Sequence, residues 1–312
     1  MIRRILLPLD LTQPCEVALQ YGTRLAASMG ARLHLLHVAA DSLQGRPRSW
    51  PEGFEHAWTD TPAPKTVLPG NPPHAIASHA RAIGADMILM PTRGHGWIRQ
   101  LLRGSNTKEL LSLTRVPVWV APPRIVRDME SVRHRRLLCG IGPGPQGEAV
   151  LQFASRCATA WDAQLLVVHT VAGSDEGMLG VAGSRADAPV ELDSAAARRR
   201  LEPLVSLLPV QAQVQVRHGA VAAVLHEEAR RWHADAIVVG SGHGSGASRP
   251  GPNTLDVIGH APCPVIACST LPERKPIPAH TVRVRIEDEP HAYATGTVLS
   301  PALTLSGRGR NG

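Results

Sequence analysis

The sequence predicts an α/β protein made of two tandem doubly wound five-stranded parallel sheets that form a pseudo-dimer. Three observations predict it. The chain repeats itself: Glu16-Val-Ala-Leu-Gln-Tyr-Gly-Thr-Arg24 returns as Glu148-Ala-Val-Leu-Gln-Phe-Ala-Ser-Arg156, and Asp86-Met-Ile-Leu-Met90 returns as Asp235-Ala-Ile-Val-Val239. Val116-Pro-Val-Trp-Val120 likewise returns as Cys263-Pro-Val-Ile-Ala267. The repeated unit is roughly half the chain, far above the ~20–50-residue period of a solenoid, so each copy is a domain. Within each copy short apolar runs alternate with segments of helical periodicity. Short loops join them, which implies parallel β-α-β units with right-handed crossovers.

The first copy opens with a buried strand, Arg4–Leu9, ending at Asp10. Cys15 to Met29 follows with Val17, Leu19, Tyr21 and Leu25 at helical spacing, and Gly30 stops it. Ala31 to Val38 reads as a second strand, Ala75 to Ile83 as a helix and Asp86 to Met90 as a strand. Ser105 to Thr114 reads as a helix, and Val116 to Ala121 as the closing strand. The second copy gives strand Leu137–Ile141, helix Glu148–Ala160, strand Gln164–Thr170 and helix Asp193–Leu208. Strand Val210–Arg217, helix Val221–Trp232 and strands Asp235–Gly240 and Pro264–Cys268 complete it. Where the second copy has the Ser194–Leu208 run, the first has Asp41 to Pro69, rich in Pro and Gly. Proline removes a donor and fixes φ, so this segment is expected to be a loop, its helix shortened or missing. The expected domains are residues 1–124 and 132–270, followed by a mostly disordered tail, 271–312. Within the tail Thr281-Val-Arg-Val-Arg-Ile286 alternates and is expected to add an edge strand. The two closing strands are expected to lie at the pseudo-twofold axis, because an apolar edge strand needs cover.

Composition narrows the function. No apolar run approaches the roughly 20 residues of a membrane span, and the start enters a strand at once, leaving no room for a secretory signal. The five cysteines show no CxxC pair, which fits reduced thiols and a cytoplasmic protein. Cys263 and Cys268 read as small core residues. The net charge is +7, but it is scattered in short pieces. Aromatics are only 3%, which leaves little for bases to stack on. A solvated basic surface is expected, not a specific nucleic-acid site. The 15 histidines show no ligand spacing; His34 and His37, three apart on a strand, fall on opposite faces. No nucleophile–base pair is legible.

The chemistry-bearing residues converge in the first copy. In a parallel sheet, ligands sit beyond the carboxyl ends of the strands, where strand order reverses. Pro8-Leu9-Asp10 ends the first strand in a carboxylate. The loop after the fourth strand runs from Met90 through Gly94 to Gly104-Ser105. Its glycines let backbone N–H groups approach an anion, and Gly104-Ser105 opens a helix whose N-terminus favours phosphate. In the second copy Asp10 aligns with Gly142, Gly94 with His243, and Gly104-Ser105 with Gly251-Pro252. The carboxylate and one backbone donor are gone, so that copy reads as a degenerate, structural partner, or as binding something else.

These residues resemble the universal stress protein family in its tandem two-domain form. The family's hallmark is a glycine, two residues, a second glycine, nine residues, then Gly-Ser or Gly-Thr. Here nine residues separate Gly94 from Gly104-Ser105, while Pro91 stands at the first glycine. Pro8-Leu9-Asp10 is similar to the family's Pro-x-Asp, and Ala261-Pro-Cys-Pro-Val-Ile266 to its closing strand. The resemblance implies a Rossmann-like fold of the adenine nucleotide alpha hydrolase type and ATP as ligand, with Mg accompanying it. It implies that Pro8, Leu9, Asp10 and Val38 face the base and ribose. Met90 would pack on the adenine, and Gly94, Gly104, Ser105 and Asn106 would hold the phosphates. It further implies a stress-response role without strong catalysis, with a homodimer or another protein as partner. Two alternatives stand beside this reading. One is a scaffold of the same fold that binds no nucleotide. The other is a weak adenine-nucleotide hydrolase or transferase, because Gly94-His95-Gly96 and Gly242-His243-Gly244 are similar to part of a nucleotidyl-transferase signature.

Overall fold

The computed structural model describes residues 2–9, 15–39, 61–91, 105–121, 134–142, 144–171, 190–241, 251–269, 281–285 and 293–297. The first half runs β1 (Arg4–Leu9), α1 (Cys15–Ser28), β2 (Arg32–Ala39), β3 (Lys65–Pro69), α2 (Pro72–Ala82), β4 (Met87–Pro91), α3 (Ser105–Leu113) and β5 (Val118–Ala121). The second half runs β6 (Arg136–Ile141), α4 (Pro145–Trp161), β7 (Gln164–Val171), α5 (Val190–Ser206), β8 (Ala212–His218) and α6 (Val221–Arg231). It ends with β9 (Ala236–Gly240), α7 (Pro252–His260) and β10 (Val265–Cys268).

These strands make one ten-stranded sheet in the order β3-β2-β1-β4-β5-β10-β9-β6-β7-β8. Every pair within a half is parallel. The halves meet through β5 and β10, which pair antiparallel with Trp119 opposite Ile266. Two parallel half-sheets joined antiparallel through their closing strands are related by a local twofold, as the sequence predicts. All four residues of each closing strand are buried. Each half therefore supplies the cover that the other's apolar edge needs.

The duplication extends to side-chain hydrogen bonds. The Asp86 carboxylate accepts the backbone N–H groups of Arg3 and Arg4 at 2.8 and 2.9 Å. Asp235 accepts those of Arg135 and Arg136 at 2.7 and 2.9 Å. The His37 ring donates from Nδ1 to the Leu9 carbonyl, and the His169 ring from Nδ1 to the Ile141 carbonyl, both at 2.9 Å.

On the face covered by α1, α4 and α5, one apolar cluster runs through both halves. On the other face two clusters stay separate, one under α2 and α3 and one under α6 and α7. Trp119 is fully buried where the halves meet. Its indole N–H donates to the Tyr21 hydroxyl at 3.2 Å, and its ring meets His134 at 4.8 Å and Trp161 at 6.0 Å, edge to face. Cys139, Cys157, Cys263 and Cys268 are buried and form no disulfide, as expected for Cys263 and Cys268. Burial pushes Cys157 and Cys268 up to about 12, so both stay protonated at neutral pH.

Two expectations are corrected, and one helix is added. Lys65–Pro69, inside the segment read as a loop, is β3, paired with β2. It is an edge strand only partly buried, so it lacks the continuous apolar signature of the inner strands. Residues 40–60, where the missing helix is expected, lie outside the described residues. Pro252–His260, unassigned from sequence, is α7; Pro252 occupies its first turn, where a missing N–H costs nothing. Thr281–Arg285 is a strand but does not extend the large sheet. It pairs antiparallel with Tyr293–Thr297 in a separate two-stranded sheet, within a unit of its own, Glu273–Gly312.

Candidate functional site

Strand order reverses between β1 and β4 in the first half and between β6 and β9 in the second. Each switch point is where the loops after two neighbouring strands diverge and leave a crevice.

In the first half, Pro8 and Leu9 end β1, Val38 stands one residue from the end of β2, and Met90 one from the end of β4. Ser105 and Asn106 open α3. Leu9, Val38 and Met90 are each 1% exposed, so they present strand ends, not side-chain area. Val38 and Met90 share the cluster under α2 and α3, whereas Leu9 faces the opposite side with Ile5 and Leu7. The structure thus brings Val38 and Met90 together on one face and sets Leu9 on the other. Asp10, Gly94 and Gly104 lie outside the described residues. The described part consists of three strand ends and the start of α3.

The second half carries two cavities around the end of β6. The larger, about 350 Å³, is lined by Gly140, Gly142, Gly147, Thr170, Leu225 and Asn253 among others, and lies at the switch point. The smaller, about 220 Å³, lies between α4 and α5, lined by Leu151, Ala197, Arg200, Leu201 and Leu204 with Glu148 at its polar side. Ile141, Gly142, Gly147 and His169 line both. At Gly142, where the first half has Asp10, an added Cβ would meet nothing within 4 Å among the described residues. The absent carboxylate leaves open space between the cavities.

Electrostatics favour an electron-rich ligand there. The helix starts of α4, α6 and α7 line the larger cavity through Gln146, Val221 and Asn253. None has a side-chain cap, so their first-turn N–H groups keep their partial positive charge. In the first half, by contrast, Asn71 caps α2, its Oδ1 accepting the His74 N–H at 3.4 Å. The Thr254 hydroxyl donates to the Gly240 carbonyl at 2.9 Å, which ties the start of α7 to the end of β9. In the sequence this open site is visible only as the closely spaced glycines 140, 142, 144 and 147 between a strand and a helix. A search centred on carboxylates and on the loop after the fourth strand passes over them.

Among the described residues no group of three or more His, Cys, Asp or Glu is placed to hold a metal ion. No described helix is long and apolar enough to cross a membrane.

The molecule is thus a tandem doubly wound α/β protein with a strand-order switch point in each half. The profile of the Universal stress protein family matches residues 1–122 and 133–269, and the chain belongs to that family. Its fold is similar to a universal stress protein from Archaeoglobus fulgidus DSM 4304, at 18% identity and TM-score 0.57, over 85% of this chain and 96% of that one. It is also similar to a functionally unknown protein from Pseudomonas aeruginosa PAO1, at 14% identity and TM-score 0.57, over 86% and 92% of the two chains. No curated protein matches the chain.

Proposed function

We propose that this universal stress protein binds ATP, with Mg accompanying it, in its first half, and acts through the bound state with at most weak hydrolysis. The observation that carries the reading is the switch point itself. β1 and β4 are neighbours there, β1 ends one residue before Asp10, and α3 begins at Ser105 next to Gly104. Asp10 would accept a hydroxyl or amine of the nucleoside, and the loop glycines with the α3 start would surround the phosphates. Pro91, the last residue of β4, has no N–H, which removes one donor from that cradle.

Calorimetric titration of the full chain with ATP tests this. Asp10→Ala should weaken binding roughly tenfold or more, the value of a charge-assisted hydrogen bond. Gly104→Val should abolish binding, and Gly251→Val should leave it unchanged. Lack of ATP affinity in the parent would replace this reading with the scaffold. Loss through Gly251→Val would place the nucleotide in the other half.

A further inference from the structure

We propose that the second half holds an adenine dinucleotide, its pyrophosphate on the turn between β6 and α4, with the 2′-phosphorylated form preferred. The turn reads Gly142-Pro-Gly144-Pro-Gln-Gly147, a G-x-G-x-x-G sequence. Alone that pattern is weak; it gains meaning only directly after a strand and at the start of a helix. Here β6 ends at Ile141 and α4 begins at Pro145.

An added Cβ at Gly142 or Gly144 would meet nothing within 4 Å among the described residues, so these two positions present bare backbone. Gly144 has φ +84°, a conformation that disfavours side chains. At Gly147 an added Cβ would fall 2.0 Å from the Gly142 carbonyl oxygen, so this glycine lets the helix pack against the strand end. Bare backbone at Gly144 and close helix–strand packing at Gly147 match two of the roles that glycines perform in a dinucleotide-binding turn; the positive φ falls at Gly144 and not at Gly142. The α4 start has no side-chain cap, which leaves first-turn N–H groups for an anion. Pro143 and Pro145 are departures: neither has an N–H, so the helix-start donors are Gln146 and Gly147.

The cavities supply the room. They lie on either side of this turn and share Gly142 and Gly147, so a pyrophosphate on the turn can place one nucleoside in each. The half's strand order, β8-β7-β6-β9-β10, puts the turn at the switch point, where such ligands sit. The smaller cavity, on the β7 and α5 side, takes the adenosine. His169 lines it, and its Nδ1–H is held by the Ile141 carbonyl. Nε2 is therefore the acceptor nitrogen and suits a ribose hydroxyl. Among the described residues β7 ends His169-Thr170-Val171, none of them acidic, and the carboxylate that lines this cavity, Glu148, belongs to the first turn of α4. Arg200 lines the same cavity and suits a 2′-phosphate.

The phosphate locus differs from that proposed for ATP in the first half, and the inference stands apart from that reading. The test is equilibrium titration of the full chain with NADPH and NADH, followed by the reduced nicotinamide fluorescence. Saturable NADPH binding is expected, roughly tenfold tighter than NADH, the worth of a charge-assisted contact. Gly142→Leu should cost more than tenfold for both ligands; it adds its side chain to open space at a backbone without positive φ, so its thermal midpoint should match the parent's. Arg200→Ala should weaken NADPH roughly tenfold and leave NADH within about threefold. Gly104→Val, in the other half, should change neither. Absence of saturable binding in the parent, unchanged binding in a folded Gly142→Leu, or loss through Gly104→Val overturns the site. Equal affinity for NADPH and NADH, or an Arg200→Ala effect equal on both, overturns the 2′-phosphate preference.

Discussion

The two halves share a frame and differ in what they leave open. Asp86 and Asp235 tie down equivalent backbone amides, and His37 and His169 make the same bond to the end of the neighbouring strand. Yet His37 is 6% exposed, whereas His169 is only partly buried and lines two cavities. Asn71 caps α2, and the aligned Ala220 leaves α6 without a side-chain cap. The shared features are those that hold strand ends in place. The differences concentrate at the carboxyl ends of the strands, where changes cost the sheet little and alter what can be bound.

The largest test of this contrast is steric. Gly147→Val drives a Cβ into the Gly142 carbonyl, 2.0 Å away, and backbone cannot step aside as a side chain can. A loss of about 3 kcal/mol or more is expected in urea unfolding. Gly22→Ala in the first half meets the tip of Leu7 at 2.6 Å, which can rotate, and should cost about 1–2 kcal/mol. Equal costs would mean that the close approach of α4 to β6 is not special to the second half.

Next comes the junction. His134 is 9% exposed, packed between Trp119 and Trp161. Neither ring nitrogen has a hydrogen-bond partner, and burial pushes its pKa down from 6.5 to about 4. The folded chain holds it neutral, so its contribution is whole above about pH 6.5 and is lost as pH falls toward 4. The loss approaches about 3 kcal/mol. Unfolding midpoints at pH 7 and pH 4.5 should therefore differ less in His134→Phe than in the parent. An equal pH dependence in the two proteins would refute the assignment.

The paired aspartates should behave alike. Asp86→Ala and Asp235→Ala should each cost about 1–2 kcal/mol, the worth of charged hydrogen bonds discounted for exposure. β5 and β10 lie between β4 and β9, so the double mutant should show the sum. A strong non-additivity would reveal coupling between the halves beyond the shared sheet. The smallest effect is at the caps. Asn71→Ala should lower stability by about 0.5–1 kcal/mol and Ala220→Asn should raise it by a similar amount, bringing the halves closer together. If Ala220→Asn also weakens dinucleotide binding, the uncapped start of α6 belongs to the site.

Much of the frame was legible because its cause is local. The apolar runs Ile5 to Leu9 and Ala236 to Val239 read as strands on their own, and the repeat places each a second time. The edge strand Lys65–Pro69 was not legible, since a partly buried strand lacks that run. At the candidate sites, Met90 and Val38 were legible as strand-end residues, and the structure sets both on one face. The second-half cavities were not, because they are made by distant pieces: the turn at Gly142–Gly147, the side of α5 and the starts of α6 and α7.

By itself the sequence determined the duplication, the alternation of strand and helix, and the apolar closing strands that must find cover. Periodicity and burial demand are properties of short stretches of chain. Only the tertiary structure decided that β5 and β10 pair antiparallel with Trp119 opposite Ile266, that Trp119 packs against His134 and Trp161, and that open space lies beside Gly142. A void is set by where side chains from separate elements fail to meet, and no local pattern encodes that.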